Sequence, residues 1–212
     1  MNELLVRIVS GAIMIGVALA AAYEGRDFFA LLVAAVATAM LWEWRQLTRH
    51  WGLNWAVAGF VYAAIPAIAL IWIRLIEPAN QFPNLLLWAF IVTWATDIGA
   101  YIVGRAVGRH KLAPSVSPGK TVEGLIGGLI VATIAGGAWV MDRSLSPALF
   151  GLAPVLAGAA QAGDLFESWI KRQAGVKDSG HWLPGHGGLL DRVDGLVPVA
   201  VLTALAQLSG MA

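Results

Sequence analysis

Charged side chains are concentrated in one short stretch of this sequence, which lies between two apolar segments. Residues 168–194 read SWIKRQAGVKDSGHWLPGHGGLLDRVD and hold four Lys or Arg, three Asp and two His. The whole chain has only 14 Lys or Arg and 13 Asp or Glu in 212 residues. Acids that bind a metal ion, beside bases that take phosphate oxygens, are typical of a site for a metal-bound polyphosphate.

Asp164 lies four residues before this stretch, inside an apolar segment that ends GDLFESWIKR. On a helix, Asp164, Ser168, Lys171 and Arg172 would share one side. A basic helix end that reaches for water would explain the two bases but not the acid. Because a buried acid costs roughly 2.5–3.5 kcal/mol on membrane-insertion scales, Asp164 requires a functional or structural partner.

The stretch continues through Lys177 and Asp178 into a glycine-rich loop around His186, and glycines let a backbone approach a phosphate closely. His186 is open to three interpretations, as a ligand, a phosphate donor or a turn residue. Asp191 and Asp194 then lie one helical turn apart, although acids at a helix start also suit the helix dipole.

Four acids, at positions 164, 178, 191 and 194, supply the oxygen ligands that Mg²⁺ prefers. Zinc is a poorer match, because the stretch offers only two His as nitrogen ligands and the chain has no Cys. The absence of Cys also excludes disulfides and thiolate chemistry.

A second polar loop reads SVSPGKTVEG over residues 115–124. Ser117, Lys120 and Thr121 offer hydroxyls and an ammonium to a phosphate, but the spacing of a Walker A loop is absent. An ordinary turn with a helix cap is the alternative.

Two acids lie further upstream in apolar segments. Asp97 would share a helix face with Tyr101 and Arg105, and its alternative role is a structural pairing with a base from another helix. Glu43, close to Arg45, is interpreted as an interfacial or structural charge.

The elements that must position these residues are apolar helices. The chain is 58% hydrophobic and 13% charged, with a mean hydropathy of +0.72, and several runs reach the roughly 20 residues that cross a bilayer. We therefore predict an all-α, polytopic transmembrane bundle in one domain, residues 1–212, with N-terminal helices over 1–84 and a catalytic core over 85–212. About seven spans are predicted, over 4–22, 28–48, 54–76, 85–107, 122–140, 147–172 and 189–210.

The basic residues predict the orientation. With a cytoplasmic N-terminus, 11 of the 14 Lys and Arg fall on the cytoplasmic side, as the positive-inside rule requires. The loop near Ser117 and the stretch 168–194 then share the cytoplasmic face.

Residues 168–194 resemble the sequence signature of the phosphatidate cytidylyltransferases, or CDP-diacylglycerol synthases. The resemblance covers roughly residues 90–200 and rests on four runs. The longest is Ser168-x-Ile170-Lys171-Arg172-x4-Lys177-Asp178-x-Gly180-x2-Leu183-Pro184-x-His186-Gly187-Gly188-Leu189-x-Asp191-Arg192-Val193-Asp194. The three shorter runs lie upstream and are Asp97 with Ala100, Tyr101 and Gly104; Ser-Pro-x-Lys-Thr-x-Glu-Gly from Ser117; and Gly163-Asp164-Leu165. Two departures are Gly119, where the family more often has a second Lys, and a length shorter than typical members, apparently by N-terminal helices.

The resemblance implies transfer of a cytidylyl group from CTP to phosphatidic acid, with Mg²⁺ and a possible second cation, at the cytoplasmic side of the cell inner membrane. It implies that Asp164 and Asp191 bind the metal. A homodimer is expected, and no nucleic-acid partner. The remaining residues with an expected catalytic role are Lys171, Arg172, Lys177, Asp178, His186 and Asp194. Those expected to bind substrate are Ser117, Lys120, Thr121, Ser168, Arg192 and Asp97.

Two alternatives stay open at this point. The first is a cytidylyltransferase that acts on another lipid phosphate, such as an ether or isoprenoid lipid. The second is an ion or proton transporter that uses Asp97 and Asp164, which would require paired discontinuous helices near the bilayer midplane.

Overall fold

The structure, a computed structural model, describes residues 3–78, 82–180, 182 and 187–212, with side chains from residue 9 onward. The described elements are α1 (Glu3–Glu24), α2 (Arg26–Leu47), α3 (Leu53–Ile76), α4 (Asn84–Val107), β1 (Lys111–Ala113), β2 (Ser117–Thr121), α5 (Val122–Asp142), α6 (Ala148–Gln173), α7 (Leu190–Val193) and α8 (Leu196–Leu208). The fold is thus nearly all-α, as the composition predicts.

The long helices agree closely with the predicted spans. The first six predictions coincide with α1 to α6, with ends that differ by at most two residues. Helices α2 to α6 are long and apolar enough to cross a bilayer, while the described apolar parts of α1 and α8 are shorter. The chain is therefore a multi-pass membrane protein.

The seventh predicted span, 189–210, is not one helix. It is divided into α7 and α8 at Asp194 and Gly195, where the Asp194 carboxylate accepts a hydrogen bond from the Gly195 amide at 2.7 Å. Pro198 follows in the first turn of α8, where its missing N–H leaves no hydrogen bond unmade. Pro198 therefore suits the start of a new helix better than the middle of a longer one.

A short β-hairpin is the other departure from the all-α prediction. Strands β1 and β2 pair antiparallel, with Lys111 opposite Thr121 and Ala113 opposite Ser117. Pro114 and Pro118 disfavour helix in this connection, since proline removes a backbone donor and blocks the preceding turn. The hairpin leads directly into α5 and carries Lys120.

The chain divides into two compact units. The first unit holds residues 1–83 and 170–193, in which α2 packs against α1, α3 and α7. Trp44 of α2 lies directly on Gly59 of α3, where an added Cβ would come within 2.1 Å of the indole. Its ring nitrogen also donates to the carbonyl of Trp55 at 2.8 Å. These contacts fix the end of α2, which carries Glu43.

The second unit holds residues 84–169 and 194–212, and its most extensive contact is between α4 and α5. Glycines on α5 allow the approach. A Cβ on Gly127 would lie 2.4 Å from the Cβ of Val103, and one on Gly128 would lie 2.8 Å from the carbonyl oxygen of Thr96. Close packing of this kind stabilises helix pairs in lipid, where the hydrophobic effect does not drive association.

We expect Gly127→Ala to destabilise the protein by about 1–3 kcal/mol, the typical cost of overpacking. The Cβ of Val103 is fixed to its backbone, so relief requires that α4 and α5 move apart. Thermal unfolding in detergent micelles measures the effect. Gly151→Ala in α6 is the matched control, because a Cβ there meets nothing within 4 Å. Equal unfolding temperatures for the two variants would contradict the packing argument.

Candidate active site

In the first unit, the Asp191 carboxylate is surrounded by donors. Its Oδ1 lies 2.5 Å from the Nζ of Lys171, and the two side chains are only 4% and 11% exposed. Its Oδ2 accepts hydrogen bonds from the backbone amides of Ser179 and Gly188, at 3.0 and 2.8 Å. The Ser179 hydroxyl lies 3.0 Å from the same oxygen. Asp191 is therefore held as a carboxylate in one orientation.

Glu43 supports the segment that leads into Asp191. Its side chain is buried, and Oε1 accepts from the amide of Leu189 at 2.9 Å. Oε2 accepts from the amide of Leu190 at 2.7 Å and from the Ser179 hydroxyl at 2.9 Å. Of the two alternatives given by the sequence, interfacial or structural, these contacts favour a structural charge. The sequence feature that could have indicated this structural role is a carboxylate within an apolar span, where a charged side chain is costly.

Glycines are required where the backbone passes these carboxylates. A Cβ on Gly188 would lie 2.0 Å from the Ser179 hydroxyl, and one on Gly180 would lie 2.5 Å from Glu43 Oε1. Gly187 has a φ of +78°, which L side chains rarely adopt. Gly180, Gly187 and Gly188 therefore serve close packing around Glu43 and Asp191.

In the second unit, Lys120 connects the hairpin to α6. Its Nζ lies 2.7 Å from Asp164 Oδ2 and donates to Gln161 Oε1 at 2.9 Å. Ser168, one turn after Asp164, donates to Asp164 Oδ1 at 3.3 Å. An acid from α6 is thus paired with a base from β2, and the Asp164 side chain remains 31% exposed.

Asp194 lies in the same unit as Asp97 and Asp164, in the turn between α7 and α8. Asp164, Asp97 and Lys120 are all close enough to Asp194 to act on it electrostatically. A cation near these acids would relieve their repulsion.

The hairpin loop is fixed by other polar contacts. Thr121 caps α5, because its hydroxyl oxygen accepts from the amide of Gly124 at 3.1 Å, as the turn-and-cap alternative anticipates. Glu123 bonds the His110 ring at 2.6 Å and accepts from the amides of Arg109 and His110. Sequence reasoning did not identify this His110–Glu123 pair. Ser117 begins β2 and is half-buried.

The remaining predicted residues divide between the units. Arg172, Lys177, Asp178 and Arg192 are exposed in the first unit, and Arg172 donates to the carbonyl of Val176 at 3.0 Å. Asp97 lies on α4 in the second unit, while its predicted neighbours Tyr101 and Arg105 hydrogen-bond each other at 2.7 Å. His186 lies outside the described residues. Asp164 and Asp191 belong to different units, so their sharing of one ion stays a prediction.

The residues fit a hard divalent cation by their chemistry. Within the part of the chain that the structure describes, no group of three or more His, Cys, Asp or Glu is close enough to hold a metal by itself. Instead, Asp164 and Asp191 each bind a lysine ammonium, which lies against the carboxylate as a cation would. Carboxylate and hydroxyl oxygens are the ligands that Mg²⁺ takes, usually with water and substrate phosphates completing the shell.

A cavity of about 560 Å³ lies in the first unit next to Ser179. Its lining combines indole rings with hydrogen-bonding side chains, notably Trp42, Trp51, Gln46, Arg49, Asp178 and Trp182. Glu43 and Ser179 form part of the same wall. A volume of this size suits a nucleotide-sized ligand.

Comparison with known proteins agrees with this chemistry. A family model described as the cytidylyltransferase family matches residues 48–209. The phosphatidate cytidylyltransferase of Brucella suis biovar 1 (strain 1330) is 46% identical over 177 residues, which cover 82% of this chain and 63% of that protein. That of Staphylococcus saprophyticus is 44% identical over 148 residues, or 68% of this chain and 57% of that protein.

The chain therefore spans somewhat less than two thirds of the length of these curated relatives. The matched region includes β2, the end of α6 and the segment that leads into α7, which together carry the lysines and carboxylates described above. Since the family model covers most of the chain, the resemblance seen in residues 168–194 is confirmed, and the chain belongs to the cytidylyltransferase family.

Proposed function

We propose that the protein transfers a cytidylyl group from CTP to phosphatidic acid, giving CDP-diacylglycerol and pyrophosphate for phospholipid synthesis. The relatives named phosphatidate cytidylyltransferase support this assignment. The observation that carries it is the pairing of Asp164 with Lys120 and of Asp191 with Lys171, because both pairs lie in the segments that match the family. Acids and ammonium groups together are what two reacting phosphates require.

The reaction joins two anions. A phosphatidate oxygen forms a bond to the α-phosphorus of CTP, the bond from that phosphorus to the β-phosphate bridging oxygen breaks, and pyrophosphate leaves. The attacking oxygen is already ionised near neutral pH, so a general base is unnecessary. The main task of the protein is to neutralise and align negative charge.

Each site residue then has a role in binding or orientation. We assign the triphosphate and the lipid phosphate to the bases Lys171, Arg172, Lys177 and Arg192, and a second phosphate group to Ser117, Lys120 and Thr121. Asp164 and Asp191 would hold Mg²⁺ and any second cation. Asp194 and Asp178 would support these two ligands. When bound, the ion supplies charge neutralisation and a template for the phosphates.

We place the nucleoside part of CTP in the cavity beside Ser179, on the basis of its volume and its indole rings. Stacking of a base on an aromatic side chain contributes about 1–3 kcal/mol. Trp42→Ala is therefore expected to raise the KM for CTP by about fivefold or more and to leave the KM for phosphatidate unchanged. Steady-state kinetics with each substrate varied in turn measures this. A change confined to the KM for phosphatidate would assign the cavity to the lipid instead.

The membrane arrangement is also a proposal. Seven spans with a cytoplasmic N-terminus are supported by the positive-inside distribution and by two shorter apolar helices besides the five long ones. The site would then face the cytoplasm from the inner membrane, where CTP is available and the acyl chains remain in lipid. Labelling of the C-terminus on intact cells tests the parity of the count.

The function is tested with purified protein, labelled CTP, phosphatidate and Mg²⁺. We expect the label to become lipid-soluble, and chelation of Mg²⁺ to abolish the transfer. Diacylglycerol in place of phosphatidate is the control, because it lacks the attacking phosphate. Competition by ether or isoprenoid lipid phosphates distinguishes related substrates. Proton flux in liposomes without CTP turnover would overturn the proposal in favour of a transporter.

A further inference from the structure

We infer that Glu43 is a positioning residue for Asp191, so that a helix outside the signature sets the affinity of the site for its divalent cation. This inference rests on the proposed function for its activity readout. Glu43 is 1% exposed, and both of its carboxylate oxygens are used by the segment that precedes Asp191. It lies on α2, more than 140 residues earlier in the chain.

The backbone groups that bind Glu43 come immediately before Asp191 in the chain. They are the amides of Leu189 and Leu190. Fixing these two peptide groups leaves the Asp191 Cα little freedom, because consecutive peptide planes share only two soft torsions per residue. Glu43 therefore fixes the backbone from which the Asp191 carboxylate extends.

The Ser179 hydroxyl is shared between the carboxylates of Glu43 and Asp191. Its oxygen lies 2.9 Å from Glu43 Oε2 and 3.0 Å from Asp191 Oδ2, yet a serine hydroxyl has one proton to donate. Asp191 Oδ2 already accepts two backbone N–H groups, from Ser179 and Gly188. The hydroxyl can donate to only one of the two carboxylates at a time, so Glu43 competes with Asp191 for its proton.

The loop backbone at Gly188 packs closely against the side chains of Ser179 and Glu43. A Cβ on Gly188 would lie 2.0 Å from the Ser179 hydroxyl and 2.7 Å from Glu43 Oε2. The contact between Glu43 and the loop is thus close enough that a shift of one member requires a shift of the others. Partners that orient a metal ligand typically change metal affinity or activity by roughly 10–100-fold when they are replaced.

The test measures Mn²⁺ binding to the folded protein by electron paramagnetic resonance, without CTP or lipid. We expect Glu43→Gln, which keeps the shape but loses the charge, to weaken Mn²⁺ binding about 10–100-fold. Ser179→Ala, which keeps both backbone bonds to Glu43, should weaken it several-fold. Glu24→Gln, at an exposed position at the end of α1, is the matched control and should bind as the wild type does. Asp191→Asn shows how much of the signal belongs to this site.

A merely structural role would lower the unfolding temperature of Glu43→Gln and leave the Mn²⁺ affinity of the folded protein unchanged, and that result would overturn the inference. If Glu43→Gln does not fold, Ser179→Ala decides by the same criterion. Wild-type protein that binds Mn²⁺ but transfers no label to lipid would end the proposed function and leave this inference intact. Wild-type protein that transfers label, with both variants binding Mn²⁺ normally, would end the inference alone.

Discussion

Asp164→Asn is expected to reduce transfer of the cytidylyl group at least about a hundredfold, with little loss of stability. Replacing a residue that only orients a metal ligand costs roughly 10–100-fold, so removal of a ligand's charge should cost more. The Asp164 side chain is 31% exposed, and its pairing with Lys120 is therefore partly screened by solvent. An ion pair of this kind contributes about 0–1 kcal/mol to folding. Label transfer and thermal unfolding of the same preparations give the two numbers.

Asp142→Asn provides the matched control for this substitution. Asp142 is 66% exposed at the end of α5 and pairs only at the surface with Arg143. We expect this variant to retain wild-type turnover. Near-normal turnover in Asp164→Asn would remove Asp164 from the metal site, whatever its effect on stability.

The sequence predicted the long helices well because length and apolarity alone define them. Helices α2 to α6 satisfy the bilayer requirement through composition, so their ends could be placed within two residues. The break at Asp194 and Gly195 was missed, since hydropathy averages over the two residues that interrupt the helix. The small hairpin was missed for the related reason that three to five residues carry little periodic signal.

The site was predictable to the extent that its residues form a local run. Lys171, Asp191 and the glycines between them lie within one charged stretch, and their types indicated phosphate and metal chemistry. The role of Glu43 was not predictable in this way, because its partners lie more than 130 residues away. Long-range hydrogen bonds depend on how α2 meets Ser179, Leu189 and Leu190, which no local pattern encodes.

Asp191→Asn is expected to lose both activity and stability, unlike Asp164→Asn. The buried Lys171 ammonium would keep its charge without the Asp191 carboxylate, and breaking a buried pair on one side costs about 3–5 kcal/mol. Asn retains a carbonyl oxygen for the amides of Ser179 and Gly188, so the local backbone can persist. Turnover should fall at least about a hundredfold, and the unfolding temperature should fall clearly below that of Asp164→Asn.

The double variant Lys171→Met/Asp191→Asn separates the two effects. Removing both charges eliminates the buried ammonium that has lost its Asp191 carboxylate, so the double variant should unfold at a higher temperature than Asp191→Asn. Transfer of label should nevertheless remain as low as in Asp191→Asn, because the double variant lacks both the carboxylate assigned to the cation and the ammonium assigned to the phosphates. Recovery of turnover together with stability would mean that the pair acts only in folding. Recovery of stability alone would assign the charges of the Lys171–Asp191 pair to the reaction.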